Sequence, residues 1–439
     1  MVLPKPLISS LREIPTHLLA AVYASALPFA SHDPHLCVQN VYDKPSENQI
    51  WHIALEDISR EIQAPRLSVL QAGLLYLQKA RRGSEAAADT PFKWSFMAFL
   101  VGLATSLGLH LDCRDWLIPP WEKRLRRRLW WLVYTEEKWR CLLLGRPSLI
   151  GPEQWDVSEL DDEDFVTEDD LAALVPEQPA WWPPTHVEQC THFRYLSRLA
   201  QTADDIYRAF YTLRASRRLA TDFASSLKAA KPLREQLRNW YSSLPPPLQM
   251  RNKSEKAPTA GVTMDATAAL HFAYLSLEVL LYRALLRPLG PPSKKDAHAA
   301  NPPGSGGGVA PTVETTRQVD RKPIDGGSAD DMLAARVATR TAAHNCAKLV
   351  VSFTAGLDSL DFGAFWYSWS RIGFPLVTSF VALLVVQAPT PDLRADAMSI
   401  ANSWRDTLRV QSKSFDQMRL GLLRLDVMYW IGFDELFSM

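Results

Sequence analysis

Leu107-Gly-Leu-His-Leu-Asp112-Cys-Arg-Asp-Trp-Leu-Ile-Pro-Pro120-Trp-Glu-Lys-Arg-Leu-Arg-Arg-Arg-Leu-Trp-Trp131 holds a helix end, a turn and a helix start in one short stretch. Gly108 supplies the left-handed residue that commonly stops a helix. Pro119-Pro120 turns the chain and pre-sets the first residues of the next helix. Beyond it Trp121, Leu125, Leu129, Leu132 and Val133 fall at i, i+4, i+8, i+11 and i+12, one apolar face of a helix. Arg124, Arg127 and Trp131 point to other faces, and Arg126 and Arg128 flank the stripe.

Helical periodicity continues in both directions. Upstream, Thr90-Pro91 reads as N-cap and first helical residue of a segment through Phe96, Phe99, Leu100, Leu103 and Leu107. Within it Gly102 and Ala104 are expected to admit a neighbouring helix closely. Residues 67–79, after Pro65, repeat leucines near a 3.6-residue spacing. Downstream, helices are expected at 188–212, 215–241, 266–287, 332–356, 374–388, 396–412 and 416–430. Alternating runs bounded by hairpin turns are missing, so the expected class is all-α, a large irregular helical domain. Two stretches interrupt it. Residues 245–262 are rich in proline and charge and read as a loop. Residues 288–330 carry Gly306-Gly307-Gly308 and few large apolar side chains, too few to offset the entropy of ordering, and read as a disordered insert. The expected layout is a helical first part at 1–287, the insert at 288–330, and a helical C-terminal part at 331–439.

Charge argues against a chain devoted to gripping phosphate. Forty-eight Lys and Arg balance forty-eight Asp and Glu, whereas such chains show a basic excess. The five cysteines, Cys37, Cys113, Cys141, Cys190 and Cys346, lack C-x2-C spacing, so they read as reduced buried thiols rather than a zinc knuckle or disulfide frame. Met1 to Ser10 does not have the pattern of a signal peptide. The apolar run Phe374–Ala388 falls short of the roughly 20 residues that span a bilayer, so no membrane partner is expected.

The arginine cluster at 124–128 has three readings: phosphate contact, a nuclear-import signal, or pairing with carboxylates of the same fold. Positive charge at a helix N-terminus opposes the macrodipole, which favours acidic partners holding it there. Glu122 is local; Glu136, Glu137 and the acidic run at 159–170 are the distant candidates. His110, Asp112 and Cys113 carry metal-capable atoms, as do Cys190 and His192, but neither set has a known ligand spacing. Asp161-Asp162-Glu163-Asp164 resembles the aspartate-rich magnesium motif of helical terpenoid synthases. Phe165 occupies its fifth position, and Arg208 occupies the hydroxyl position of a second motif near Asp204-Asp205. Phosphate-binding glycine loops and a nucleophile elbow are also missing, so no enzyme is expected and no catalytic, cofactor or metal residue is assigned. Gly145-Arg146-Pro147 reads as a helix stop, with Arg146 placed to reach exposed carbonyls or the acidic run.

Taken in order, Leu107–Asp112, Trp121–Trp131 and Leu144-Gly-Arg-Pro-Ser148 resemble the middle homology region of fungal zinc-cluster transcription factors, with its helix end, RRRxWW helix and LGRP turn. Phe365-Trp-Tyr-Ser-Trp-Ser370 and the apolar helix after it look like the later part of that region, so the resemblance covers roughly residues 18–430. Matched motif positions are Gly108, His110, Asp112, Arg126, Arg127, Arg128, Trp130, Trp131, Gly145, Arg146 and Pro147. His110–Cys113, Glu137-Lys-Trp139 and Gln154-Trp-Asp-Val157 look most like the pleiotropic activators of nitrogen-source utilisation, such as GABA and allantoin genes. The resemblance implies a nuclear regulator of RNA polymerase II transcription. It also implies other transcription factors or coactivators as partners, a small-molecule effector, and a homodimer. The family's N-terminal Zn2Cys6 cluster is missing from this sequence. Zinc and DNA contact are therefore expected only through an absent or partner module, either lost upstream or never present. A helical adaptor or coactivator without ligand or DNA, and more remotely a metal-dependent helical enzyme, are the alternatives.

Overall fold

The computed structural model describes residues 14–32, 36–38, 45–79, 90–165, 186–250, 266–290, 329–433 and 435. Among them the regular elements are all helical, as expected. The expected insert lies almost wholly outside the described residues, as do most of the 245–262 loop and the acidic run beyond Phe165.

In chain order the helices are α1 (Thr16–Ala26), α2 (Glu47–Arg60), α3 (Leu67–Leu77), α4 (Pro91–Ser106), α5 (Pro120–Leu144), α6 (His186–Ile206) and α7 (Leu213–Arg218). They continue with α8 (Phe223–Ser242), α9 (Thr267–Leu286), α10 (Ala329–Ala355), α11 (Ser359–Gly363), α12 (Ser370–Val386), α13 (Pro391–Gln411) and α14 (Arg419–Ile431). α1 lies against α2 and α3; α5 packs on α4 and α6; α9 packs on α8, α10 and α12; and α12 is flanked by α13 and α14. Apolar side chains from all of these regions meet in one continuous core.

Local chemistry sets the boundaries. The Thr90 hydroxyl accepts from the Lys93 amide and Pro91 occupies the first turn of α4. α4 ends at Gly108, whose φ of 70° lets Leu109 N reach Ala104 O and Gly108 N reach Thr105 O. α5 starts after Pro119 and ends at Gly145, φ 63°, where Arg146 N donates to Cys141 O. The segment expected as one helix over 188–212 ends in a wide π turn at Tyr207–Tyr211, and Thr212 caps the short α7.

Several expectations need correction. Gly102 is exposed and a Cβ there would meet nothing, so it admits no neighbour. Close approach occurs at Gly73 of α3, where a Cβ would stand 2.4 Å from Leu100 Cδ2 of α4. α5 is not a one-faced helix: Trp121 is exposed, whereas every residue from Val133 to Leu142 is buried, so α5 enters the middle of the molecule. α12 starts at Ser370, four residues before the expected point. Pro375 is tolerated because only one carbonyl of the first turn loses its amide partner. The stretch Thr267–Leu289, not 374–388, is long and apolar enough to cross a membrane, but 83% of its apolar window is buried inside the protein, as in a core helix. Helices α1 and α2 lie in a region where no helix was expected.

Candidate regulatory site

The helix end, the arginine helix and the 154–164 loop assemble into one unit. Asp112 Oδ2 accepts hydrogen bonds from Ser158 N and Oγ at 3.0 and 2.7 Å. The Asp112 amide donates to Asp156 Oδ1, and Asp156 N donates to His110 O. Two short strips of backbone are thereby laced together. Burial opposes ionisation of Asp112, but the Ser158 donors and Arg114 outweigh it and hold the carboxyl below its ordinary range. Trp155 from the loop packs among Trp130, Trp131 and Tyr134, ring centres 5.1–5.9 Å away, and the His110 ring lies 6.3 Å from Trp130.

The basic cluster is absorbed by this unit. Arg127 is buried, donates to Asp164 at 2.5 Å, and reaches Ser158 Oγ and Glu159 O. Trp131 Nε1 donates to Ser158 O. Burial pushes the Asp164 carboxyl up to about 6 against the pull of the Asp161 amide and Arg127. Arg126 pairs with Glu122 and donates to Leu107 O, an end carbonyl of α4. Lys123 donates to Arg114 O. Arg124 and Arg128 are half-buried. The rest of the acidic run meets arginines of α6, Glu159 with Arg198 and Asp162 with Arg194. Pairing within the fold is therefore the observed fate of the cluster's central residues.

The expected metal candidates have other engagements. Asp112 is hydrogen-bonded as above, Cys113 Sγ donates to Lys123 O, and His192 Nε2 lies 3.1 Å from Ala266 O. The Cys190 side chain lies outside what is described. Among Asp161 to Asp164 only Asp164 is buried, and its partner is Arg127, so these carboxylates do not converge on a cavity.

The second half of α5 holds a different set of charges. Glu136 and Glu137, expected as partners of the arginine cluster, form their ion pairs instead with Arg140 and Lys138 of the same half of α5. Glu136 Oε2 accepts from Arg140 Nε at 3.0 Å, while Oε1 accepts from Gln78 Nε2 at 2.8 Å and Trp369 Nε1 at 3.2 Å. Arg140 Nη2 donates to Ser368 Oγ at 2.7 Å, and Ser368 in turn bonds Leu77 O and the Gln78 side chain. Trp139 stacks on Trp369 with ring centres 4.4 Å apart and planes parallel. One turn of α5 thus joins the end of α3 to the start of α12, distant in sequence. Lys138 lies between Glu137 and Asp204 and also donates to Ser148 Oγ and Ile150 O, anchoring the turn after α5. Burial pushes the Glu137 carboxyl up, while Lys138 and the Leu149 amide pull it down.

The matched motif positions consequently form two groups. Gly108, His110, Asp112, Arg126, Arg127, Arg128, Trp130 and Trp131 gather at the first half of α5. Gly145, Arg146 and Pro147 lie at its other end, roughly 20 Å beyond Trp131 at 1.5 Å per residue. All three are exposed, and among the described residues the Arg146 side chain forms no ion pair; its amide and carbonyl close the helix end through Cys141. Sequence reading missed Gln78, Arg140 and Ser368. It also missed a cavity of about 410 Å³ beside them, bounded by the ends of α1 and α3, by α2, and by the segments around α11 and before α14.

Residues 7–242 match the model of the fungal-specific transcription factor domain, more than half of the chain. The chain belongs to this family. Similar proteins include the transcriptional activator protein DAL81 of Saccharomyces cerevisiae, 27% identical over 96% of this chain and 41% of its own length. The transcriptional activator protein acu-15 of Neurospora crassa is 27% identical over 55% of this chain and 24% of its own. The acetamidase regulatory protein of Aspergillus oryzae is 29% identical over 51% of this chain and 24% of its own. The chain therefore spans about two fifths or less of these family members' lengths. No solved structure matches it. The expected resemblance is thus upheld.

Proposed function

We propose that this helical body is the regulatory region of a nuclear transcription factor that controls RNA polymerase II transcription of nitrogen-catabolic genes. The observation that carries the reading is the match of residues 7–242 to the family domain. The names of two relatives, a DAL81 activator and an acetamidase regulator, favour nitrogen metabolism. The region acts by binding rather than catalysis, a reading supported by the pairing of the buried carboxylates Glu136, Asp164 and Asp204 with Arg140, Arg127 and Lys138. Partners are other transcription factors or coactivators, with a second copy of the chain among them. DNA contact and zinc belong to a separate module or a partner. A metabolite or partner shifts the body between conformations by binding one of them more tightly.

The test is a reporter gene in a fungal host, driven by this chain fused to a heterologous DNA-binding module. Transcription is expected to depend on the nitrogen source, GABA or allantoin against ammonium, and to be indifferent to the carbon source. Output equal to that of the DNA-binding module alone under every condition would exclude the reading.

A further inference from the structure

The surface around α7 is strongly basic, although the whole chain balances 48 cations with 48 acids. Between Thr212 and Asn239 seven Lys and Arg stand against two acids, Asp222 and Glu235. Arg214, Arg217 and Arg218 are exposed at i, i+3 and i+4, one face of α7. Among the described residues these three form no ion pair and no side-chain hydrogen bond. Asp222 is occupied in capping α8, where its carboxylate accepts from Ser225 N. Beside α7 the Arg287 guanidinium lies 5.7 Å from the centre of the Tyr211 ring and donates to Ser216 Oγ. Arg336 of α10 lies 5.7 Å from the ring of Phe223, the first residue of α8, and Arg340 donates to Leu289 O. Among the described residues these three arginines also form no ion pair. Asp330 and Asp331, in the first turn of α10, already have partners. Apolar side chains stand among the charges. Leu213 is 78% exposed, and around α7 it falls between Arg217 and the Ser216 that holds Arg287. Leu333 and Val337, 62% and 55% exposed, share one stripe of α10 with Arg336 and Arg340.

We infer that this surface docks an acidic amphipathic segment of a partner protein, its carboxylates on the arginines and its apolar side chains on Leu213, Leu333 and Val337. Guanidinium forks form their strongest hydrogen bonds with ionised oxygen. Arg287 and Arg336, laid over aromatic rings, lose less freedom on binding than free side chains would. Duplex DNA would match the charge but leave the three apolar side chains in water. An uncharged apolar partner would leave the arginines without gain. The described acids of the chain's own acidic run are held elsewhere: Glu159 and Asp162 pair with Arg198 and Arg194, roughly 15–20 Å before the π turn along α6. The sequence joining α9 to α10, residues 291–328, carries five cations against four acids and offers no acidic complement. Acidic segments with interspersed apolar residues are disordered when free and order on a surface of this kind. The inference gives a chemistry to the protein partner proposed above and rests on that reading for its biological role; the binding itself does not.

The experiment uses the purified full chain and a synthetic peptide of about 15 residues, with Asp and Glu on one helical face and Leu and Phe on the other. Fluorescence anisotropy is expected to show binding that weakens several-fold as salt is raised. Replacing the peptide's acids by Asn and Gln, or its Leu and Phe by Ser, should each weaken it by about tenfold or more. Arg214→Gln, Arg217→Gln and Arg218→Gln together should weaken binding by about tenfold, and Leu213→Ser by about threefold. Thermal melting and circular dichroism should not change, because these exposed side chains have no partner to lose. Arg424→Gln, at an exposed arginine of α14, should leave the affinity as it was. The inference is overturned if the acidic peptide does not bind, if either altered peptide binds as tightly, or if the triple variant binds normally. It is also overturned if duplex DNA or phosphatidylserine vesicles bind more tightly through the same arginines, or if sedimentation shows a second copy of the chain seated there. Peptide binding without a nitrogen-dependent reporter would overturn the regulatory reading alone; a responsive reporter without peptide binding would overturn the docking surface alone.

Discussion

The two halves of α5 satisfy their charges in different ways. In the first half, Arg126 and Arg127 reach outward to loops: the end of α4, the Ser158–Glu159 backbone and Asp164. In the second half, Glu136, Lys138 and Arg140 lie almost completely out of water and are satisfied mainly by side chains from other parts of the chain. The first arrangement fastens a loop to a helix. The second fastens the ends of the chain to its centre. Unpairing a charge in the second should disturb the whole fold, whereas the same change in the first should release mainly one loop.

That contrast breaks or survives on the following substitutions. Glu136→Ala leaves Arg140 buried without its carboxylate and should cost about 3–5 kcal/mol, with loss of cooperative unfolding in denaturant titrations. Combining it with Arg140→Ala should cost much less than the two single losses added; additivity would mean the pair is not a coupled unit. Arg127→Ala leaves Asp164 behind and should cost about 2–3 kcal/mol, with faster hydrogen exchange confined to residues 156–165. If it instead abolished a steeply salt-dependent DNA affinity, the structural role of the cluster would be wrong.

Asp112→Asn should cost about 1–2 kcal/mol at neutral pH, because two donors from Ser158 lose their ionised acceptor. The wild-type carboxyl is lowered on folding, so its stabilisation is present above its unfolded pKa of about 4 and disappears as pH falls through the folded value. The stability gap between wild type and Asp112→Asn should therefore be flat near neutrality and close only in acid. Gly145→Ala should be smallest, about 1 kcal/mol: φ is positive, but a Cβ there would meet no neighbour. A larger thermal shift at Gly145 than at Arg127 would reverse the ranking.

Sequence legibility followed the range of the interactions. Thr90-Pro91, Gly108, Pro119-Pro120 and Gly145 act within one turn of chain, so the bounds of α4 and α5 could be read from them. The pairing of Arg127 with the acidic run was accessible through charge compensation alone. Glu136 and Arg140, by contrast, have the i,i+4 spacing of an ordinary surface pair, and nothing local reveals Gln78 or Ser368 as their partners. α1 gave little signal because its small apolar residues cover most faces and no side chain caps its start. α2 presents a thin stripe, Trp51, Ala54 and Ile58, whose meaning depends on α1 and α3 lying over it. Gly102 and Gly73 look alike in sequence; only packing shows which one faces Leu100.

The parallel stacking of Trp139 on Trp369 makes the seating of α12 on α5 optically visible. Indole transitions held face to face couple, so their combined circular-dichroism band exists only while α12 is seated on α5. The molecule thus carries an intrinsic, label-free gauge of that contact, to be read against the other close indole pairs, Trp130 and Trp131 with Trp155.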